Sequence, residues 1–315
     1  MTSMVSDGPV VADLRSAADR LELSGADRAR FLNGLVTAAI KELTPGTGTH
    51  GFFTARKGGV LADFELLAHD DRFWLELPSG RGAAIAEHLQ KYVLADRVAI
   101  SPLAVAPLVI LGAEAALAAK FGELPAAPWS HHPIEFGGQV ATLQQHPHRG
   151  APAWQLWLPE SEIEAALAAL TADLGARVAA PGELEVLRVR AGVPRWGLDY
   201  GEDNLPQETG LESAIHYTKG CYLGQEIVAR VHYRGGVQRG LVGLRLAASA
   251  EPGAELSFED RPVGTLGSVV LDPELGWLAL AIVHRRGSEP GTRVTLPTGT
   301  IAEVVPLPFS SQEGT

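Results

Sequence analysis

The sequence predicts an α+β protein that ends in a small antiparallel β domain. Up to about residue 240, amphipathic helical segments are interspersed with strand-like runs, which is the pattern of an α+β layer. Beyond that point, short β-rich runs are separated by Gly, Pro and Asp turns, as in a small antiparallel barrel or sandwich. This change of pattern predicts a domain boundary between residues 1–240 and 241–315.

The individual elements follow from hydrophobic spacing. Ala29, Leu32 and Leu35 lie at helical spacing, which predicts a short helix capped by Ser24. Pro181 is expected in the first turn of a helix that runs to residue 190, where its missing N–H costs little. The remaining predicted elements are two strands within 52–67, a strand over 72–77, a helix over 82–93, strand material over 98–110, a helix over 162–174, and C-terminal strands over 241–246, 266–271, 278–283, 293–296 and 301–305.

Composition bounds the function classes. The 315 residues include 46% hydrophobic and 20% charged residues, enough apolar material for a sizeable core. The net charge of −11 argues against a broad grip on nucleic acid or anionic membrane, which needs a basic face. A local basic patch remains compatible with this charge.

The chain has a single cysteine, Cys221. One thiol forms no internal disulfide and supports no four-thiolate iron–sulfur cluster or all-Cys zinc site within one chain. The first residues lack both the charged and the apolar region of a secretory signal. The most apolar stretch, 103–117, is interrupted by Pro107 and Glu114 and is too short to span a bilayer. These features predict a cytoplasmic protein.

Chemistry is concentrated around Cys221. The run K-G-C-Y-L-G-Q-E over 219–226 continues into a stretch that has four Lys/Arg and one acid between 219 and 240, against the acidic balance of the chain. Glycines that flank the cysteine indicate tight turns or a close approach of the backbone to a ligand. A thiol two residues from Lys219 and close to several arginines is predicted to be reactive. The alternative is that Cys221 only packs, as most free cysteines do.

This run resembles the hallmark of the YgfZ family, folate-binding proteins related to the T-protein (aminomethyltransferase) of the glycine cleavage system. Asn33 stands where Gln is usual in an N-terminal motif with Thr37. The cysteine motif is specific to the YgfZ branch, whereas the other matching segments are shared more widely. Nearly the whole chain is covered, through segments 31–34, 188–194, 197–199, 205–208, 229–230, 233–235, 263–264, 275–276, 291–292 and 308–309.

The resemblance implies a fold and a cofactor. It implies two interlaced N-terminal α+β domains, with an insert of about residues 50–105, around a central site for tetrahydrofolate or a folate derivative, and a C-terminal antiparallel β-barrel. It implies Asp199 as the carboxylate that faces the pterin, with Trp196 and Tyr200 as walls of the ring site. The alternatives are a turn aspartate and ordinary core aromatics.

The resemblance also implies cations for the folate tail and a role for the thiol. Arg190 and Arg230 are candidates for the glutamate tail or for holding Glu226, and solvated surface arginines are the alternative. Cys221 is implied as the reactive centre, with Lys219 raising its thiolate fraction.

One segment departs from the T-protein pattern. Residues 56–63 resemble a stretch in which two glycines lead to adjacent acids, but Ala62 replaces the first acid and only Asp63 remains. A missing carboxylate cannot act as a general base or stabilise positive charge on the pterin nitrogen. Ala62 is therefore evidence against aminomethyl transfer, while Asp63 is expected either to contact the ligand or to be a turn or strand-end acid.

The sequence thus predicts a cytoplasmic folate-binding accessory protein that supports iron–sulfur cluster assembly or repair and tRNA modification. Expected partners are folate, iron–sulfur proteins or their assembly machinery, and tRNA through the basic stretch 219–239. One alternative is a folate-dependent aminomethyl- or methyltransferase. Another is a folate-free module that docks a protein or tRNA. The pairs His131-His132 and His146-Pro147-His148 give little support for a metal, because no nearby Cys or carboxylate completes a ligand set.

Overall fold

The computed structural model describes residues 8–147 and 151–310. Contacts divide the chain into two compact units. The described part of unit 1 comprises residues 8–53, 62–147, 151–181 and 218–222. The described part of unit 2 comprises residues 54–61, 182–217 and 223–310. Both units are therefore discontinuous in sequence.

Seventeen strands and six α-helices are assigned within these residues. The helices are α1 Arg28–Asn33, α2 Gly82–Gln90, α3 Glu114–Phe121, α4 Ile163–Leu174, α5 Glu183–Arg190 and α6 Gln225–Arg234. The strands are β1 Val10–Asp13, β2 Ala18–Ser24, β3 Gly48–Thr54, β4 Val60–Ala68, β5 Arg72–Pro78, β6 Ala99–Pro102, β7 Val105–Leu111, β8 His131–Phe136, β9 Gln139–His146, β10 Ala153–Pro159, β11 Arg177–Val178, β12 Arg239–Leu246, β13 Glu255–Phe258, β14 Arg261–Asp272, β15 Gly276–His284, β16 Arg293–Thr295 and β17 Ile301–Val305.

Unit 1 is built on two sheets. One has the order β11-β1-β7-β10-β9-β8, and the other has the order β3-β4-β5-β2-β6. Strand β10 shows why the first sheet has two different faces. Its residues Trp154, Leu156 and Leu158 pack into an apolar core that α3 and α4 cover, whereas the alternate residues Gln155 and Trp157 point to the other side.

In unit 2, strands β12 to β17 form a closed antiparallel barrel in the order β12-β15-β14-β13-β16-β17. Strand β15 again explains the layering by its period of two. Ala279, Ala281 and Val283 belong to the core inside the barrel, whereas Leu278 and Leu280 pack outside it with Val189 of α5. Closure removes the free strand edges that a small sandwich would leave.

The predicted α+β class and the C-terminal antiparallel barrel are confirmed, and closure decides between barrel and sandwich. The predicted boundaries of the domains, including the insert of about 50–105, stay predictions. The elements that were not predicted are the strands β1, β2, β8 to β11 and β13 and the helices α3 and α6. Among the described residues, no helix combines the length and apolarity that crossing a membrane requires.

Two predicted helix starts are wrong. Ser24 is the last residue of β2, and α1 begins at Arg28 with Asp27 at its N-cap. Pro181 lies before α5, which begins at Glu183 with Gly182 at the N-cap position in a left-handed conformation of φ +80°. In the first case Gly25 and Ala26 separate Ser24 from the cap, and in the second case Pro181 directly precedes the cap.

Candidate functional site

The cysteine motif begins in unit 1 with a buried lysine. The Nζ atom of Lys219 donates a hydrogen bond of 2.7 Å to the carbonyl oxygen of Val36 and a second one to that of Ala38. It also lies 5.2 Å from the centre of the Tyr222 ring, which is itself buried. These contacts tie the motif segment to the chain that follows α1.

Burial lowers the pKa of Lys219 to about 7; the charge of Glu42 opposes this shift and that of Lys41 adds to it. About half of the molecules therefore carry a neutral amine at pH 7. A neutral amine still has two N–H groups, one for each carbonyl oxygen, so the geometry accommodates both protonation states. Burial also raises the pKa of Tyr222 to about 12, which keeps its hydroxyl protonated.

Cys221 lies in the loop between Lys219 and α6, and its side chain is exposed. Of the two glycines predicted to shape this loop, Gly224 does so: its φ is +85°, and a Cβ there would lie 2.5 Å from the carbonyl oxygen of Ala55. Gly220 has open space around it and no positive φ. Gly224 is therefore required by its turn and by the adjacent backbone of residue 55, and the predicted close approach to a ligand stays a prediction.

Most cations of the predicted basic stretch already have anionic or backbone partners. Arg230 pairs with Glu226 at 2.7 Å along α6. Arg239 pairs with the buried Glu208 at 3.1 Å. Arg234 is exposed and has no ion-pair partner among the described residues. The outer surface of α6 also carries Tyr233, which is 67% exposed.

Asp199 is the centre of a hydrogen-bond network in unit 2. Its Oδ2 atom accepts from the backbone N–H of Arg195 at 2.8 Å, from Nη1 of Arg188 at 3.1 Å and from Oγ of Ser268 at 2.9 Å. Its Oδ1 atom accepts from the backbone N–H of Ser268 at 2.6 Å. A Cβ at Gly267 would lie 2.4 Å from Oδ1. The side chain is fully covered, so the carboxylate holds the 195–199 turn against β14.

Arg188 joins this carboxylate to a second one. Its guanidinium donates to both oxygens of Glu185, at 3.0 Å and 2.5 Å, in a bidentate pair. Burial acts to raise the pKa of Glu185, but the hydrogen bonds and charge of Arg188, together with the charge of Arg195, outweigh it and lower that pKa. Neither Arg188 nor Glu185 was predicted as a site residue, although Arg188 opens the segment 188–194 that resembles the family.

The predicted aromatic walls lie in the same turn as Asp199. Trp196 is half-buried and donates from Nε1 to the carbonyl oxygen of Val60 at 3.3 Å. Tyr200 is buried, and Trp196 and Tyr200 form an isolated parallel bridge. The backbone N–H of Gly197 donates to the carbonyl oxygen of Tyr200 at 2.7 Å. The structure thus brings together three of the predicted residues in one tight segment.

The remaining predicted residues lie apart from that segment. Arg190, at the end of α5, pairs with Asp272 at 3.2 Å and with Glu274 at 2.8 Å. Asp63 belongs to unit 1, on β4, where its Oδ2 atom lies 3.7 Å from Nε2 of His50. Its Oδ1 atom is buried and has no hydrogen-bond partner among residues 8–147 and 151–310.

Ala62 occupies a fully buried position on the same strand, between the buried residues Val60 and Phe64. Asn33, the other departure noted in the sequence, is also buried. Its Oδ1 atom accepts from the backbone N–H of Ile40 at 3.1 Å and thereby closes the loop after α1. Within the described chain, no three His, Cys, Asp or Glu side chains gather closely enough to hold a metal ion, and His148 lies outside the described residues.

Comparison with known proteins adds three findings. The GCVT N-terminal domain model matches residues 4–219. The tRNA-modifying protein YgfZ of Klebsiella pneumoniae (strain 342) is 31% identical over 309 residues, which covers 92% of this chain and 90% of the relative. The protein of the same name from Escherichia coli O157:H7 (strain EC4115 / EHEC) is 31% identical over 316 residues, with the same coverage.

Among solved structures, the glycine cleavage system aminomethyltransferase T from Bartonella henselae superposes with a TM-score of 0.85 at 22% identity. The superposition covers 97% of this chain and 87% of that one. At this identity the likeness establishes a common fold and leaves the activity open.

Proposed function

Because this chain belongs to the YgfZ branch of the glycine cleavage T-protein family, we propose that it is a cytoplasmic folate-binding accessory protein. In this proposal it acts in tRNA modification and supports the assembly or repair of iron–sulfur clusters. The observation that carries the proposal is the similarity, along 92% of the chain, to relatives named tRNA-modifying protein YgfZ.

The turn 195–200 supplies chemistry that fits a pterin. A pterin needs an acceptor for its N–H groups and aromatic or apolar walls. Asp199 accepts one hydrogen bond at Oδ1 and three at Oδ2, and its side chain is fully covered, so the proposal requires the covering chain to move before a pterin N–H can reach Oδ1. Trp196 and Tyr200 flank it with ring faces. Bound folate would supply a carrier for one-carbon groups, and these three residues would hold its ring.

Cations for the folate tail are proposed on two helices of unit 2. The guanidinium of Arg190 pairs with Asp272 and Glu274, and that of Arg230 pairs with Glu226. A guanidinium has five N–H donors, so each arginine can keep its ion pair and still donate to a tail carboxylate. Asp63 belongs to unit 1, and its expected contact with the ligand stays a prediction.

Binding without aminomethyl transfer is favoured by Ala62. The site of the first acid in the T-protein pattern holds a fully buried methyl group on β4. No side chain there can take up a proton or face a positive pterin nitrogen. The proposal therefore places the chemistry of the chain at Cys221, whose sulfur is exposed.

Calorimetric titration with tetrahydrofolate tests the folate proposal. We expect saturable binding by the full chain, and we expect Trp196→Leu to weaken it by about tenfold, because the variant removes one ring wall. The matched control is Trp277→Leu, which removes a similarly half-buried indole from β15 and should leave the affinity within about twofold. No binding at high micromolar folate would overturn the proposal.

The rival activities are separated by two further measurements. A folate-dependent aminomethyltransferase would release product from a methylamine donor with tetrahydrofolate, and we expect no turnover above a blank without protein. A folate-free docking module would bind tRNA through residues 219–239. Arg234→Gln should then weaken tRNA binding, since Arg234 is the exposed cation of α6 that no acid neutralises among the described residues.

A further inference from the structure

The two sheets of unit 1 face each other with polar side chains. His146 of β9 contacts Glu65 of β4 at 2.7 Å. Trp157 of β10 donates from Nε1 to Oε1 of Gln144 at 2.8 Å, and the pair is buried. Arg20 of β2 pairs with Glu76 of β5 at 3.0 Å, also in the interior. Buried polar groups need partners, and each of these six side chains has at least one.

At one end of this polar layer, three buried nitrogen atoms have no hydrogen-bond partner among the described residues. The indole Nε1 of Trp74 and the imidazole Nε2 atoms of His69 and His131 are buried, and none has a hydrogen-bond partner among the described residues. His131 is only 5% exposed as a whole residue. A buried donor or acceptor left unpaired costs roughly 1–3 kcal/mol, so three of them at one place require an explanation.

These three residues line one cleft. It measures about 670 Å³, which is in the range of small-molecule sites. Its wall is a row of rings: the centre of His69 lies 4.1 Å from that of Trp74 and 4.8 Å from that of His131. The lining is completed by Pro45, Gly46, Asp70, His132, Pro133, Val140 and Thr142.

The chemistry of the three nitrogens defines a complementary ligand. An indole N–H only donates. Backbone groups of Thr47 and Ala68 favour a proton on the His131 ring, and the tautomer in which Nδ1 carries that proton leaves the lone pair on Nε2. His69 Nε2 takes either part, according to its tautomer. The ligand must therefore present an acceptor and a donor along one edge.

The ligand should also be uncharged and flat. Burial lowers the pKa of both His69 and His131 to about 4, so both rings are neutral at pH 7 and offer no charge to an anion. The wall consists of ring faces, which favour a second π system. A flat nitrogen heterocycle with neighbouring donor and acceptor atoms, such as a nucleobase, meets both requirements.

We propose that the cleft formed by His69, Trp74 and His131 binds a nucleobase, either as a free nucleoside or as an unstacked base of RNA. The ring row supplies the stacking face, and the three buried nitrogens supply the polar edge. None of the eight residues proposed for folate or thiol chemistry lines this cleft. Its test can therefore fail while the folate proposal stands, and the reverse holds as well.

Calorimetric titration of the full chain with adenosine, guanosine, cytidine and uridine, followed by short single-stranded RNAs of matching composition, tests the proposal. We expect at least one base to bind with a Kd below about 1 mM. We expect Trp74→Phe to weaken that binding by about tenfold, since the variant keeps a ring but loses the N–H. Binding of free nucleosides identifies a small-molecule site, whereas binding of RNA alone identifies an RNA base.

The control is Trp154→Phe, which removes an equally buried and unpartnered indole N–H from β10, away from the cleft. It should leave the affinity within about twofold. A second pair guards against misfolding of Trp74→Phe: His69→Leu should weaken binding, while His88→Leu, on α2, should not. No binding by any nucleoside or RNA, or equal losses in variant and control, would overturn the proposal and leave water as the only occupant.

Discussion

The buried amine of Lys219, in the cysteine motif, changes its protonation state near neutral pH. Its amine is held by two carbonyl oxygens of residues 36 and 38, and burial brings its pKa to about 7. The geometry directs the amine towards backbone oxygens, and only half of the molecules carry its charge at neutral pH. The proposed help to the Cys221 thiolate therefore depends on pH, being larger below pH 7 than above it.

The lowered pKa of Lys219 should make the free energy of unfolding depend on pH. The folded-state pKa is lowered from 10.5 to about 7, so between these values the unfolded chain binds more protons and stability rises with pH. We expect Lys219→Met to remove a rise of about 1–4 kcal/mol between pH 7 and 10, measured as the difference from the wild-type urea curves. A pH-independent difference would contradict the lowered pKa.

The hydrogen-bond partners of Asp199 determine its structural role. As a sequence position it is an acid before an aromatic residue, compatible with a turn or with a pterin contact. In the fold its four hydrogen bonds fix the turn 195–199 to Ser268, eleven residues or more from any partner except Arg195. The same bonds that keep the carboxylate in place also keep Trp196 beside it.

The loop that leads into α6 depends on a single glycine. Gly224 is the N-cap of this helix, and its positive φ turns the chain while the backbone of residue 55 lies against its Cα. Thr54 donates from Oγ1 to the carbonyl oxygen of Leu223 in the same turn. The glycines of the motif are thus unequal, although they look alike in the sequence.

Gly224→Ala should destabilise the protein by about 2–4 kcal/mol. The positive φ of this residue strains the backbone of an alanine, and the added Cβ would clash with the Ala55 carbonyl oxygen. Gly220→Ala is the matched control, with open space and no positive φ, and should change stability by less than about 0.5 kcal/mol. Thermal and urea unfolding measure both. Equal effects of the two variants would show that the motif turn relaxes around a side chain.

Across the molecule, the proposed functional residues are divided between the two units. Unit 1 carries Lys219, Cys221 and Asp63, together with the nucleobase cleft, and unit 2 carries the turn 195–200 with Arg190 and Arg230. The only thiol is exposed, so its replacement by serine should cost little stability. A loss of function in that variant can therefore be assigned to chemistry of the sulfur.

In cells that lack the protein, we expect Cys221→Ser to abolish rescue of iron–sulfur enzyme activity, while the wild-type chain restores it. The control is Ser213→Ala, which removes a hydroxyl from an exposed position of the 3₁₀ helix Glu212–Ala214 and should rescue fully. Alkylation of the purified chain adds a direct readout, since one cysteine gives one rate. Full rescue by Cys221→Ser would show that the exposed thiol has no chemical role in this function.

Much of the fold follows from local pattern. Period-two alternation located the strands at 52–67 and 72–77 and most of those in the barrel, because a strand with one buried face must alternate. Helix α6 was not predicted, because its charge-rich sequence between glycines favours a turn. It buries Val228 alone, so it shows little of the apolar stripe that marks a helix. Strand β13 is only four residues long and breaks its register at a bulge, which leaves little alternation to read.

By itself, the sequence determined the α+β class, the C-terminal β domain, the family and the segment where the single cysteine sits. These depend on spacing and on residue order, which are local. Tertiary structure alone decided that the barrel closes, that Asp199 is saturated by Arg188 and Ser268, and that His69, Trp74 and His131 share one cleft. The physical reason is that burial and hydrogen-bond partners are set by strands and turns far apart in the chain, and no local pattern records which of them meet.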